Sequence, residues 1–167
     1  MHEPANLPLW VLDSSVAVKL YLNEEYYEQA RTLASYAEIA RVELVAPTTI
    51  SAEVFNAFWQ NYRRGELGKE EARNLWREFD EDVPLTLFDT QSFARRAVDL
   101  AHETEVIIYD ALFLALAEAL NTTVITADEK TILNRLAGTP YEHLAVHLRD
   151  AEKYLPKQAE GSEERDG

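Results

Sequence analysis

Five short aliphatic and β-branched runs recur along this 167-residue chain, separated by stretches whose apolar residues follow helical spacing. Leu9 to Leu12, Glu43 to Ala46, Leu85 to Phe88, Thr123 to Thr126 and Ala145 to Leu148 read as strands. Between and after them, roughly Ser14 to Leu22, Glu24 to Glu38, Thr49 to Gly65, Lys69 to Glu81, Thr90 to Glu103, Ile108 to Asn121 and Glu129 to Leu136 read as helices. Strands that alternate with helices predict a parallel α/β class. The punctuation agrees: Gly65 and Gly68 mark a turn between helices, Pro47 and Pro84 sit outside helix interiors, and Gly138 with Pro140 closes the last helix.

The length suits one domain with a core large enough to fold without disulfides, expected over residues 1–155. From Pro156 to Gly167 the segment PKQAEGSEERDG holds no aliphatic side chain larger than alanine, so a disordered tail is expected at 156–167. No apolar run approaches the roughly 18 residues of a membrane span, and the first residues lack a basic leader, so a cytoplasmic protein is the default expectation. The absence of cysteine removes disulfides, thiolate metal sites and cysteine nucleophiles. A net charge of −14 argues against broad electrostatic attraction to nucleic acid and favours basic protein partners.

Four acids stand apart from the solvated charge runs. Asp13 in VLDSSV, Glu53 in ISAEVF, Asp110 in IYDALF and Asp128 in ITADEK are each embedded in apolar sequence, at strand ends or near helix starts. In an open parallel sheet, ligands gather beyond the carboxyl ends of the strands, where Asp13 and Asp128 fall and where Asp110 opens a helix. Each aspartate alone reads equally well as a helix N-cap. Glu53 does not, because it lies a turn inside a helix on a face shared with Ile50, Val54 and Ala57; its alternative is a satisfied salt bridge inside the core, with an arginine for instance. Clustered carboxylates repel, so a shared site requires compensating positive charge, and an all-oxygen donor set points to Mg²⁺ or Mn²⁺ rather than zinc. His143 and His147 lie four apart, but in a segment that alternates like a strand, too far for a zinc pair. Ser14 and Thr126 are candidates for bonding a carboxylate or a bound water, with local capping as the alternative.

The order Asp13 in VLDSSVAVKLYLNEE, Glu53 in APTTISAEVFNAF, Asp110 in YDALFLALAEAL and Asp128 in VITADEK resembles the PIN-domain nucleases, and among them the VapC-type toxins of VapBC toxin–antitoxin pairs. That resemblance implies a three-layer α/β/α sandwich with a five-stranded parallel sheet. It also implies a Mg²⁺- or Mn²⁺-dependent endoribonuclease, a homodimer and a cognate VapB-like antitoxin. Asp13 and Asp110 would hold the metal, with Glu53 and Asp128 directly or through water, and Thr126 matches the hydroxyl of the family's T-x-D segment. A housekeeping PIN nuclease and a non-catalytic PIN-like interaction module are the alternatives, and a phosphoryl-accepting aspartate domain is disfavoured because VLDSS lacks a second aspartate two positions on.

Two further features bear on partners. Lys69, Arg73 and Arg77 recur every four residues and form either an RNA-facing stripe or a solvated face laced with Glu66, Glu70 and Glu81. Tyr26, Tyr27, Phe55, Trp59 and Tyr62 are candidates for a groove that takes an amphipathic antitoxin helix, or for core. The helix Ala111 to Leu120 is apolar nearly all round, which predicts burial in the core, with part of it available to a second subunit.

Overall fold

Val11 sits between two parallel partners, Val45 on one side and Val124 on the other, and is wholly buried, as a central strand covered on both faces requires. The computed structural model describes residues 7–156. Its strands are β1 (Leu9–Leu12), β2 (Glu43–Pro47), β3 (Thr86–Phe88), β4 (Thr123–Thr126) and β5 (Ala145–His147). They form one parallel sheet in the order β3-β2-β1-β4-β5. The helices are α1 (Ser14–Ala17), α2 (Tyr27–Glu38), α3 (Ile50–Arg63), α4 (Lys69–Asp82), α5 (Ala94–Thr104), α6 (Ile108–Ala119) and α7 (Asn134–Leu136). The chain winds outward from β1 to β3 and then returns to β4 on the other side of β1. Right-handed crossovers therefore put α2, α3 and α4 on one face and α5 and α6 on the other, giving three layers.

Helix α6 supplies much of the core. Every side chain from Ala111 to Ala117 is buried, so packing against the sheet and α5 accounts for its all-round apolarity. Phe113 and Phe58 are the largest fully buried side chains, and truncating either to alanine should cost about 3–5 kcal/mol. Gly65 ends α3 in a left-handed conformation (φ 76°), which allows Glu66 N–H to reach back to the Asn61 carbonyl at 2.9 Å.

Three expected helices are less regular than their apolar period suggests. The Ser14 to Leu22 segment is one α-helical turn followed by a 3₁₀ turn at Val18–Leu20. The Thr90 to Glu103 segment opens with a 3₁₀ turn, Thr90–Ser92, because the Asp89 side chain accepts the Gln91 N–H at 3.1 Å. The Glu129 to Leu136 segment begins as a wide π-type turn, Glu129–Leu133, with Asp128 capping Thr131 N–H at 2.8 Å. His143 lies in a 3₁₀ turn before β5 and is exposed, whereas His147 ends β5 and is buried. The expected tail at 156–167 lies, apart from Pro156, outside the described residues.

Candidate active site

The switch in strand order falls between β1 and β4, the position at which open α/β sheets gather ligands at their carboxyl ends. Asp13 follows β1, and its N–H still donates to the Ile125 carbonyl at 3.0 Å, so the residue is fixed as an extension of the sheet. It is 2% exposed and precedes α1 without capping it through its side chain. Its Oδ2 instead accepts hydrogen bonds from Thr126 Oγ1 at 2.7 Å and from Ser15 Oγ at 2.5 Å. Thr126 Oγ1 also accepts the Asp128 N–H at 3.0 Å, and Ser15 Oγ accepts the Ala127 N–H at 3.0 Å. The loop after β4 is thus tied to Asp13 by two hydroxyls.

Glu53 enters from the first turn of α3, with Ile50, Val54 and Phe58 buried along the same helix. Ser14 Oγ donates to its Oε2 at 2.8 Å, while Oε1 is buried with no hydrogen-bond partner. Asp110 lies in the first turn of α6, and Thr131 Oγ1 is 2.8 Å from both Asp110 Oδ2 and Asp128 Oδ2. A threonine hydroxyl has one proton, so it can satisfy only one of these two carboxylates at a time. Among the described residues, none of the four acids forms a salt bridge.

Three of these acids shift in the same direction. Burial pushes the Glu53 carboxyl up to about 7, against the pull of Ser14 and with Asp13 and Asp110 adding to the rise. Burial likewise lifts Asp110 to about 6, against Thr131 and with Asp13 and Asp128 contributing. Asp13 is raised by burial, which outweighs its bonds from Ser15 and Thr126. An orphaned carboxylate oxygen, a hydroxyl shared between two acceptors and three raised acids all fit a site that takes positive charge from outside. Among the described residues no group of three or more His, Cys, Asp or Glu side chains is arranged as a ready-made metal cage. An all-oxygen donor set of this kind suits a small hard cation that keeps several of its waters.

Glu53 and Asp128, with Ser14 and Ser15, line one part of a cleft of about 730 Å³, and Lys19, Tyr26, Arg64, Lys130, His147 and Arg149 line the rest. Lys19 is buried and donates to Glu24 at 3.1 Å; Arg149 pairs with Glu129 at 2.5 Å. Lys69, Arg73 and Arg77 lie on exposed α4, where Arg73 meets Glu70 at 3.6 Å, and none of the three lines this cleft. Of the aromatic candidates, Phe55 and Trp59 are exposed, while Tyr26, Tyr27 and Tyr62 are half-buried. Phe55 meets Trp76 edge to face at 5.7 Å across α3 and α4. Sequence reasoning missed Ser15, Thr131, Lys130 and Arg149. The spacing D-x-x-T from Asp128 to Thr131 was a usable signal, because it is a capping pattern.

Residues 10–138 match the family model of the PIN domain. This chain belongs to the PIN-domain family. Ribonuclease VapC3 of Pyrobaculum aerophilum is 34% identical over 121 residues, 72% of this PIN protein and 89% of the relative. Ribonuclease VapC9 of Mycobacterium tuberculosis is 30% identical over 121 residues, covering 71% and 84%. The crystal structure of PAE2754 from P. aerophilum superposes with a TM-score of 0.63 at 16% identity, over 88% of each chain. A toxin–antitoxin complex from Klebsiella pneumoniae matches with a TM-score of 0.56 at 17% identity, over 83% of this PIN chain and 96% of that one. These two structures share the α/β/α PIN fold.

Proposed function

We propose that this PIN protein is an endoribonuclease that hydrolyses RNA phosphodiester bonds as the toxin of a toxin–antitoxin pair. The observation that carries the chemistry is the group of Asp13, Glu53, Asp110 and Asp128 at the sheet's switch point, linked by hydroxyls and lacking any basic partner among the described residues. The VapC ribonucleases that resemble the chain over most of its length support the substrate class.

Asp13 and Asp110 would hold Mg²⁺ or Mn²⁺, with Glu53 and Asp128 acting directly or through water. Such an ion, when bound, supplies charge stabilisation to the phosphoryl oxygens. Ser14 holds one oxygen of Glu53 and so fixes the orientation of its carboxyl. Glu53, in the first turn of α3 and on the wall of the cleft, is our choice for the base that takes the proton of the attacking water. Ser15, Thr126 and Thr131 position Asp13, Asp110 and Asp128 and keep them from swinging apart. In-line attack by water would leave 5′-phosphate and 3′-hydroxyl ends.

The cations nearest this chemistry are those of the cleft, Lys19, Arg64, Lys130 and Arg149, and we assign phosphate contacts to them ahead of the Lys69, Arg73 and Arg77 stripe. The exposed face formed by Phe55, Trp59 and Trp76 is our choice for the antitoxin, a VapB-like partner with an amphipathic helix. The toxin–antitoxin complexes among the structural neighbours support such a partner. A homodimer acting in the cytoplasm completes the reading. Incubating the pure protein with tRNA and rRNA fragments should give discrete cuts with Mn²⁺ and none with chelator or with Asp110→Asn. Equal cutting by Asp110→Asn would overturn the assignment.

A further inference from the structure

Tyr26 has an unusual backbone and an unusual setting. It is the residue before α2 and is left-handed (φ 66°), a conformation that disfavours a bulky side chain and that persists only where the surroundings hold it. Its ring packs edge to face on His147, with centroids 5.0 Å apart and planes at 77°. His147 is only 4% exposed, and its ring is fixed because Nδ1 accepts the Arg149 N–H at 3.0 Å. The turn that carries Tyr26 is also anchored, through the bond from Lys19 Nζ to Glu24 Oε2 at 3.1 Å. Tyr26 therefore faces the cleft as a half-buried aromatic ring held by a rigid second ring, with Lys19 and Arg149 on the same walls and Glu53 and Asp128 lining the same space.

We propose that Tyr26 is a base-stacking residue: a nearby base of the RNA lies on the Tyr26 ring while the scissile phosphate meets the carboxylates. This rests on the nuclease reading above and adds a base-contacting residue to it. A π-face is the chemistry that recognises any base without reading its identity, and Lys130, exposed on the same cleft and in no ion pair among the described residues, takes a flanking phosphate. A cleft of about 730 Å³ suits a bound ligand larger than one phosphate group. A base inside a duplex is already stacked on its neighbours and has no free face to offer, so paired RNA cannot use this wall. A protein segment is the less suitable occupant, since this wall carries charged side chains while the exposed aromatics Phe55, Trp59 and Trp76 stand on α3 and α4.

The test measures binding of the full chain, with Ca²⁺ present, to a short single-stranded RNA carrying 2-aminopurine at successive positions, and to the same sequence in a duplex. Wild-type protein should quench the fluorophore at one position near the cut site and bind the duplex at least about tenfold more weakly. Tyr26→Leu, which keeps apolar bulk without a π-face, should weaken single-strand binding on the order of tenfold and abolish the quenching, while Tyr26→Phe restores both. Melting temperatures of the variants separate this loss from misfolding, and Tyr26→Phe guards against failure of the leucine variant to fold. If wild-type protein binds the single strand and Tyr26→Leu binds and quenches it equally, the stacking site is overturned and the nuclease reading stands. If wild-type protein neither binds nor cleaves any RNA, both fall. If Tyr26→Leu loses affinity only for a protein partner, the ring belongs to a protein-facing surface and the proposal is wrong.

Discussion

Arg96 and Asp13 stand at the centres of two polar clusters in the same fold, and their charges are balanced in opposite ways. Arg96 donates from Nε and Nη2 to Glu118 at 2.6 and 2.9 Å and from Nη1 to Glu103 at 3.3 Å. The Tyr141 hydroxyl bonds to Glu103 as well, so α5, α6 and the turn before β5 are stapled together. Bonds from Arg96 hold Glu118 below its ordinary range, and bonds from Tyr141 and Arg96 do the same for Glu103. Around Asp13 the carboxylates receive bonds from hydroxyls and backbone N–H groups but, among the described residues, from no cation, and Asp13, Glu53 and Asp110 all rise. The first cluster is complete within the chain and serves stability. The second has no counter-charge among the described residues, and on the proposed function an added cation supplies it, at some cost to the metal-free fold.

Exchanging the roles of the two clusters by mutation is the strongest way to break this contrast. Asp13→Asn should lower RNA cleavage about a hundred- to a thousandfold without lowering the metal-free melting temperature. Arg96→Ala should do the reverse: it lowers the melting temperature by several degrees and leaves cleavage per folded molecule intact. Cleavage assays beside thermal melts check both. A smaller effect is expected from Thr131→Val, which removes the hydroxyl shared by Asp110 and Asp128. Cleavage should fall about tenfold to a hundredfold, read as kcat with KM little changed.

The contrast also has a sign in pH. Glu53 and Asp110 have folded values of about 7 and 6, above their ordinary 4.5 and 3.8, so the folded chain binds more protons than the unfolded one between those limits. Their contribution to metal-free stability therefore falls as pH rises from about 4 to about 7. Glu103 and Glu118 are lowered, so their contribution is present at neutral pH and is lost as pH falls through their folded values. Chemical denaturation of the metal-free protein at pH 5.5 and pH 8 should show Glu53→Gln gaining stability relative to wild type at the higher pH. No such gain would contradict the burial argument. The smallest effect is expected from reversing charge at Arg73 and Arg77, which should alter cleavage and its salt dependence less than reversal at Lys130 and Arg149.

Much of this was legible in the sequence because the informative signals are local. Asp13 and Asp128 follow aliphatic runs that can only be strands, and Glu53 sits on an apolar helical face where a solvated acid would be out of place. The shared hydroxyl of Thr131 was less visible, since its bond to Asp110 spans 21 positions and depends on how α6 meets the loop after β4. His147 and Arg149 reach the cleft only because β5 pairs with β4, a long-range register that no local pattern announces. The left-handed backbone of Tyr26 was invisible for another reason: glycine or asparagine signals such a position, and tyrosine does not. The apolar period of the first and last expected helices predicts regular helix, whereas side-chain bonds at Asp128 and the short span after Asp13 impose tighter or wider turns.

Titration of Mn²⁺ into the pure protein at pH 8, followed by calorimetry, tests most directly whether the hydroxyl-held carboxylates wait for a cation. Saturable binding that is lost in Asp110→Asn and kept in Arg96→Ala is the predicted result. Indistinguishable isotherms for wild type and Asp110→Asn would contradict it.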